Sequence, residues 1–141
     1  MAGTATQTLE PIYDEGKRRD KFKYTFAWTS DASGDVSGIS TDDGSFMTRK
    51  ITDILKGKEI VGGEVTPGAT TPTAAFDVVV NDSNGVDLFG GAFADCVNSA
   101  TTTSYPFDAT VYGSKIIKSA LTPVVSNSGS AKTGSVVLMF E

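Results

Sequence analysis

Histidine is absent from this chain, and the absence removes whole classes of chemistry. No side chain is left with an ordinary pKa near neutrality to act as general base, no imidazole can bind zinc, and no Ser-His or Cys-His nucleophile pair can form. Cysteine is almost as scarce. The single residue, Cys96, excludes an internal disulfide framework and a CxxC metal site. No stretch reaches the roughly 20 apolar residues that a helical membrane span requires. The opening MAGTATQTLEP lacks the apolar core of a secretory signal, so folding in a reducing cytoplasm is expected. Basic residues are outnumbered, 12 Lys+Arg against 17 Asp+Glu, and the net charge of −5 weighs against nucleic acid as a partner. The glycines from Gly34 to Gly44 and the pairs Gly62-Gly63 and Gly90-Gly91 match no phosphate-binding spacing.

What is present points to short strands joined by many turns. The chain has 141 residues, 39% hydrophobic and 21% charged, with 15 glycines and dense serine and threonine. That length suits one domain, which can bury about 68–70% of its unfolded surface without staples. Residues 21–29 alternate strictly: Phe22, Tyr24, Phe26 and Trp28 fall on one face, Lys23 and Thr25 on the other. Period two with aromatics predicts a half-buried strand. Further strands are expected at 36–39, 75–81, from 86, at 105–112, 115–125 (with a kink or edge at Pro123) and 133–140, separated by turn clusters. Residues 92–106 read as a long connection without a pattern.

Between Phe46 and Gly57 two readings stand. Phe46, Ile51, Ile54 and Leu55 form a helical stripe ended by Gly57, or Lys56-Gly57 turns a strand over 48–55 into one over 58–66. The strand-like surroundings favour the second. The fold class expected is all-β: an antiparallel β-sandwich or a jelly-roll or Ig-like barrel of seven to nine short strands. Residues 1–20 are polar and read as an extended N-terminal arm; residues 21–141 form the sandwich domain. An arm of this polarity becomes ordered when a neighbouring chain holds it, so an assembly is expected.

Asp82-Ser83-Asn84-Gly85-Val86-Asp87 invites comparison with a calcium loop. Such a loop needs oxygens at alternating positions, then Gly, then a distant Glu. Asp82, Asn84 and Gly85 supply the start, but the third acidic position and the Glu are missing. Asn-Gly between a Val78-Val79-Val80 run and Val86/Leu88 is a hairpin signal instead, so Asp82, Asn84, Gly85 and Asp87 read as turn residues. The acids Asp31, Asp35, Asp42 and Asp43 sit in turn clusters and read as solvated groups rather than a catalytic pair. Cys96, without a base, reads as a buried filler. Trp28 with Phe22, Tyr24 and Phe26 has the form of a stacking platform for bases or sugars, but a core face is the stronger reading. No catalytic residue, cofactor or metal is expected.

Charge is unevenly spread. Lys17, Arg18, Arg19, Lys21 and Lys23 fall within seven positions, while from residue 24 onward seven Lys/Arg face thirteen Asp/Glu. This basic cluster reads as a partner-docking patch at the junction of arm and body, with a solvated segment as the plain alternative.

The frame FAWTSDASGDVSG … VTPGATTPTAAFDVVVNDSNGVDLFGG … NSGSAKTGSVVLMF resembles a group of small virion proteins encoded by tailed bacteriophages. The shared pieces are WTSDASG, a PG…PT turn before an aromatic-DV strand, a D-x-x-G-x-D hairpin and a closing NxGxAKTGxVxL hairpin. They occur at Trp28–Gly34, Pro67–Thr73, Phe76–Asp87 and Asn127–Leu138. The likeness spans residues 24–141, leaves the arm unmatched, and departs at 45–57, where the group is shorter. It implies a β-sandwich viral structural protein, located in the virion after synthesis in the host bacterial cytoplasm. The role it implies is capsid decoration or cement on the major capsid protein or another virion protein, as a homo-oligomer, trimer or dimer. A tail, collar or fibre-anchoring component and a carbohydrate-binding module are the alternatives.

Overall fold

Alternation of buried and exposed side chains sets the architecture. The computed structural model describes residues 3–12, 21–108 and 111–141. In chain order the elements are β1 (Thr4–Ile12), β2 (Lys21–Thr29), β3 (Ser45–Phe46), β4 (Arg49–Lys50), α1 (Ile51–Leu55), β5 (Glu59–Pro67), β6 (Asp77–Asn81), β7 (Thr102–Ser104), β8 (Phe107–Asp108), β9 (Val111–Tyr112), β10 (Lys115–Ile116), β11 (Thr122–Ser126) and β12 (Thr133–Phe140). The fold is an all-β antiparallel sandwich. Its larger sheet runs β1-β2-β12-β5-β10, with β7 also on β5; the smaller is the β11-β6 ribbon.

The core lies between the two layers. Tyr24, Phe26, Val136, Leu138, Phe140, Ile60 and Val65 come from the larger sheet; Val78, Val80 and Val125 face them from the ribbon. Phe76, Phe89 and Phe93, from the chain around β6, are fully buried and fill the layer, with Trp28 against Phe76 at 6.0 Å and Phe89 against Phe93 at 4.7 Å between ring centroids. Fully burying each such side chain contributes about 1.5–3 kcal/mol, and the rings remove the most apolar area per residue. Gly63 makes this packing possible, because a Cβ there would stand 2.7 Å from the Phe89 ring. Where β12 meets β5 the register slips between Met139 and Phe140: Met139 faces Gly62 but Phe140 faces Ile60. The extra residue, Val61, is a bulge that lets both Ile60 and Gly63 point into the core despite their odd separation.

Several expectations are corrected. Of the expected N-terminal arm, residues 4–12 are not separate from the body: β1 pairs with β2 residue for residue, from Thr4 opposite Thr29 to Ile12 opposite Lys21. Polarity does not prevent this, since the ladder uses backbone groups, and the inward Gln7 satisfies its amide by donating to the Ser40 carbonyl and accepting from the Tyr24 hydroxyl. Residues 13–20 lie outside the described residues. The segment from 45 to 57 is neither of the expected forms alone: β3 and β4 make a short hairpin, and α1 is a single helical turn burying Ile51, Thr52, Ile54 and Leu55. The strand expected from Val86 is a series of turns with only an Asn81–Asp87 bridge. Val36 likewise makes one bridge, to Val125. The connection at 92–106 contains β7, and within 105–112 the two-residue strands β8 and β9 pair antiparallel. The expected strand at 115–125 breaks between β10 and β11, which belong to different sheets; Ile117 and Leu121 are buried at the crossing.

Candidate docking surface

The turn at Asp82 is built around its carboxylate. Oδ1 accepts from the Asn84 and Val86 N–H groups at 2.8 and 3.1 Å, and Gly85 sits at φ 78°. Asp87 does more: Oδ1 accepts from Val80 and Phe89 N–H at 3.2 and 3.1 Å, and Oδ2 from Gly91 N–H at 2.8 Å. Both acids are thus committed to backbone donors. Among the described residues no three acidic or cysteine side chains gather in a metal-binding arrangement. Asp31 is similarly engaged, and the Asp35 N–H bond above all holds its carboxyl below the usual range, helped by Ser33 N–H. Asp35, Asp42 and Asp43 are exposed and not gathered on it by any described bond. Cys96 is buried, donates to the Phe93 carbonyl, and burial pushes its thiol up to about 11.

The aromatic face of β2 is core. Tyr24, Phe26 and Trp28 are buried, so Trp28 offers no platform to a sugar or base. Exposed aromatics lie elsewhere: Tyr105 and Tyr112 are 58% and 53% exposed, and Tyr112 packs at 4.7 Å on Phe107.

The four motif pieces carrying the phage resemblance meet around Asn127–Ser128. Ser128 Oγ donates to the Gly34 carbonyl at 2.9 Å, Thr73 Oγ1 to the Asn127 carbonyl at 2.7 Å, and Asn127 Nδ2 to Asp77 Oδ2 at 2.6 Å. Gly34 approaches so closely that a Cβ would stand 2.6 Å from the Gly129 nitrogen. These residues tie loops together at one end of the sandwich, and their chemistry is used up in doing so.

What remains open is the outer face of the larger sheet. With Tyr24, Phe26 and Trp28 inward, the alternate residues point away from the core, and the strand registers arrange them in rows. Thr4, Thr29 and Thr133 form one row; Thr6, Ala27, Ser135 and Thr66 the next. Thr8, Thr25, Val137, Glu64 and Thr103 follow, then Glu10, Lys23, Met139 and Gly62, then Ile12 and Lys21. Among the described residues, no element packs across these rows. The face is therefore lined by small, hydroxyl-bearing side chains and uncharged at one end. At the other, Lys21 pairs with Glu141 at 3.1 Å and Lys23 stands opposite Glu10, beside a groove of about 260 Å³ lined by Ile12, Val61, Gly62 and Met139.

No family model, curated protein or solved structure matches this chain. Of the five expected docking cations, Lys21 and Lys23 are placed on this outer face, whereas Lys17, Arg18 and Arg19 lie outside the described residues. Sequence reading missed the face itself, because its threonines carry no motif. Only the register across five strands makes them neighbours.

Proposed function

We propose that this chain is a non-enzymatic structural protein of a tailed-phage virion, a decoration or cement protein that docks on the major capsid protein and stabilises the head. The observation that carries the reading is the outer sheet face, uncovered among the described residues, with paired charges at one end. A protein surface suits it better than a small ligand does. The face is broad and lacks a deep cleft, while the acids Asp31, Asp82 and Asp87 are occupied with backbone donors.

Size sets the mode of action. Four strands about 4.8 Å apart and eight residues long present roughly 500 Å². A standard interface buries about 800 Å² per partner, so one copy on this face alone binds weakly. Many copies on a repeating lattice, joined as homo-oligomers, raise avidity without a strong single contact. The basic cluster of the sequence, Lys17, Arg18, Arg19, Lys21 and Lys23, steers encounter and fixes register against an acidic partner surface.

Copy number in purified virions, read from a quantified gel, is the direct test. Hundreds of copies are expected; a few to tens would move the protein to the tail, collar or fibre base, and none would remove it from the virion. Replacing Lys17, Arg18 and Arg19 by Gln should weaken co-sedimentation with expanded heads, and undiminished binding refutes their docking role. A second reading, glycan binding, is favoured by the exposed Tyr105 and Tyr112. It requires that Tyr105→Ala and Tyr112→Ala abolish retention on a glycan array.

A further inference from the structure

Among the described residues the outer edge of β1 is long and regular, pairs with no further strand, and carries one guard, Pro11, near its C-terminal end. Its hydrogen-bonding direction follows from the neighbouring ladder. Ser30 N–H donates to the Lys132 carbonyl at 2.8 Å, which makes residues 30, 28, 26, 24 and 22 the ones that bond toward β12. Their alternates, residues 29, 27, 25, 23 and 21, bond toward β1 and occupy Thr4, Thr6, Thr8, Glu10 and Ile12. Ala5, Gln7 and Leu9 therefore aim both N–H and C=O away from the sheet, and Pro11 aims its C=O. Proline falls where no N–H is needed by the β2 ladder, as the chemistry of an edge strand demands. Among the described residues these outward groups have no backbone partner.

Exposed edges are ordinarily blunted by lysine, proline, bulges, shortness or a covering loop, and of these β1 has only Pro11, near one end. β1 is nine residues long, pairs with β2 without a register shift, and carries one charge, Glu10, which its own Lys23 faces. We propose that β1 pairs antiparallel with β1 of a second copy of this chain. A two-fold axis at Gln7 sets Ala5 against Leu9 of the second copy, so every outward N–H of both chains meets a carbonyl. Thr6 then faces Thr8 of the second copy and Glu10 faces Thr4, so no like charges stand opposite one another. The arrangement uses the same edge on both chains, so it closes as a dimer and leaves no β1 edge to propagate a fibre. It also joins two outer faces into one of roughly 1,000 Å², above the about 800 Å² per partner of a standard interface. The pairing itself stands without the virion reading; its use in widening the docking face rests on it.

Sedimentation velocity on the full chain, from micromolar to millimolar concentration, tests the pairing. The unaltered protein should sediment as a dimer. Thr6→Lys/Thr8→Lys places ammonium groups face to face on exposed positions and should give a monomer with an unchanged far-ultraviolet spectrum and a still-protected Cys96 thiol. Ala5→Pro removes one outward N–H while leaving the β2 ladder intact and should also shift the equilibrium to monomer. A wild-type monomer throughout the range, or a dimer indifferent to both variants, overturns the proposal. So does a wild-type monomer whose head binding is lost in Ala5→Pro, which changes the edge without touching the outer face and would assign the edge to a strand of another protein. A dimer that fails to sediment with heads supports the pairing and counts against the virion reading instead.

Discussion

At the scale of single residues, the buried polar groups decide how the protein responds to its surroundings. Tyr24 is fully buried, with its hydroxyl donating to Gln7 Oε1 at 2.9 Å, and burial raises its pKa well above the ordinary tyrosine value. Such a group favours the folded state while it stays protonated. Once the pH passes about 10, the unfolded chain gains by releasing the proton and the folded chain cannot. Stability should therefore fall as pH rises above that point, and Tyr24→Phe should flatten the alkaline limb of a urea-midpoint profile against pH; an unchanged slope would show that Tyr24 does not govern it. Trp28 shows how far one residue could be read in advance. Its place on an apolar face was legible from alternation, because period two is local. That its indole lies over Gly134, where any Cβ would strike the ring, was not, because the partner is 106 positions away along the chain and is chosen by strand register.

Among the elements, the β3–β4 hairpin stands out for strain. Its two turn residues, Met47 and Thr48, sit at φ 49° and 73°, the left-handed region that costs a non-glycine residue about 1–2 kcal/mol. Two-residue hairpin turns of this kind normally carry Asn-Gly. Thr48→Gly should raise stability by about 1 kcal/mol in chemical denaturation, the relief of strain exceeding the extra entropy of glycine in the unfolded chain. A loss of stability would mean the turn is held by contacts of the threonine side chain. This hairpin was illegible in the sequence for the same reason: its turn lacks the residues that announce a turn. The Asn84-Gly85 turn was legible because it has them. The β10–β11 break was hidden differently, since an apolar run reads alike whether it stays in one sheet or crosses to another, and the crossing depends on where Ile117 and Leu121 find cover.

For the whole molecule, the decisive feature is that the polar N-terminal stretch completes the larger sheet. Leu9 is buried against the core and β1 lies along the whole of β2. Deleting residues 1–12 should therefore destabilise the body by at least the about 1.5–3 kcal/mol of Leu9 burial, and it should expose the edge of β2 to aggregation. A thermal melt of the truncated protein at several concentrations measures both effects; a melt unchanged from wild type would restore the picture of a detachable arm. It follows that arm deletion cannot serve as a clean test of docking, whereas neutralising Lys17, Arg18 and Arg19 alters no residue of β1.

The sequence by itself determined the all-β class, the long alternating strands at 21–29 and 133–140, the turn at Asp82–Gly85 and the scarcity of groups able to do chemistry. These depend on local periodicity, turn stereochemistry and composition, which neighbouring residues carry among themselves. Only the tertiary structure decided that residues 4–12 form an edge strand, that α1 and a strained hairpin occupy 45–55, and that threonines from five strands make one face. Each of these is settled by which strand lies beside which and in what register. Those pairings depend on how the whole core closes over its aromatics, a property no single stretch of the chain contains.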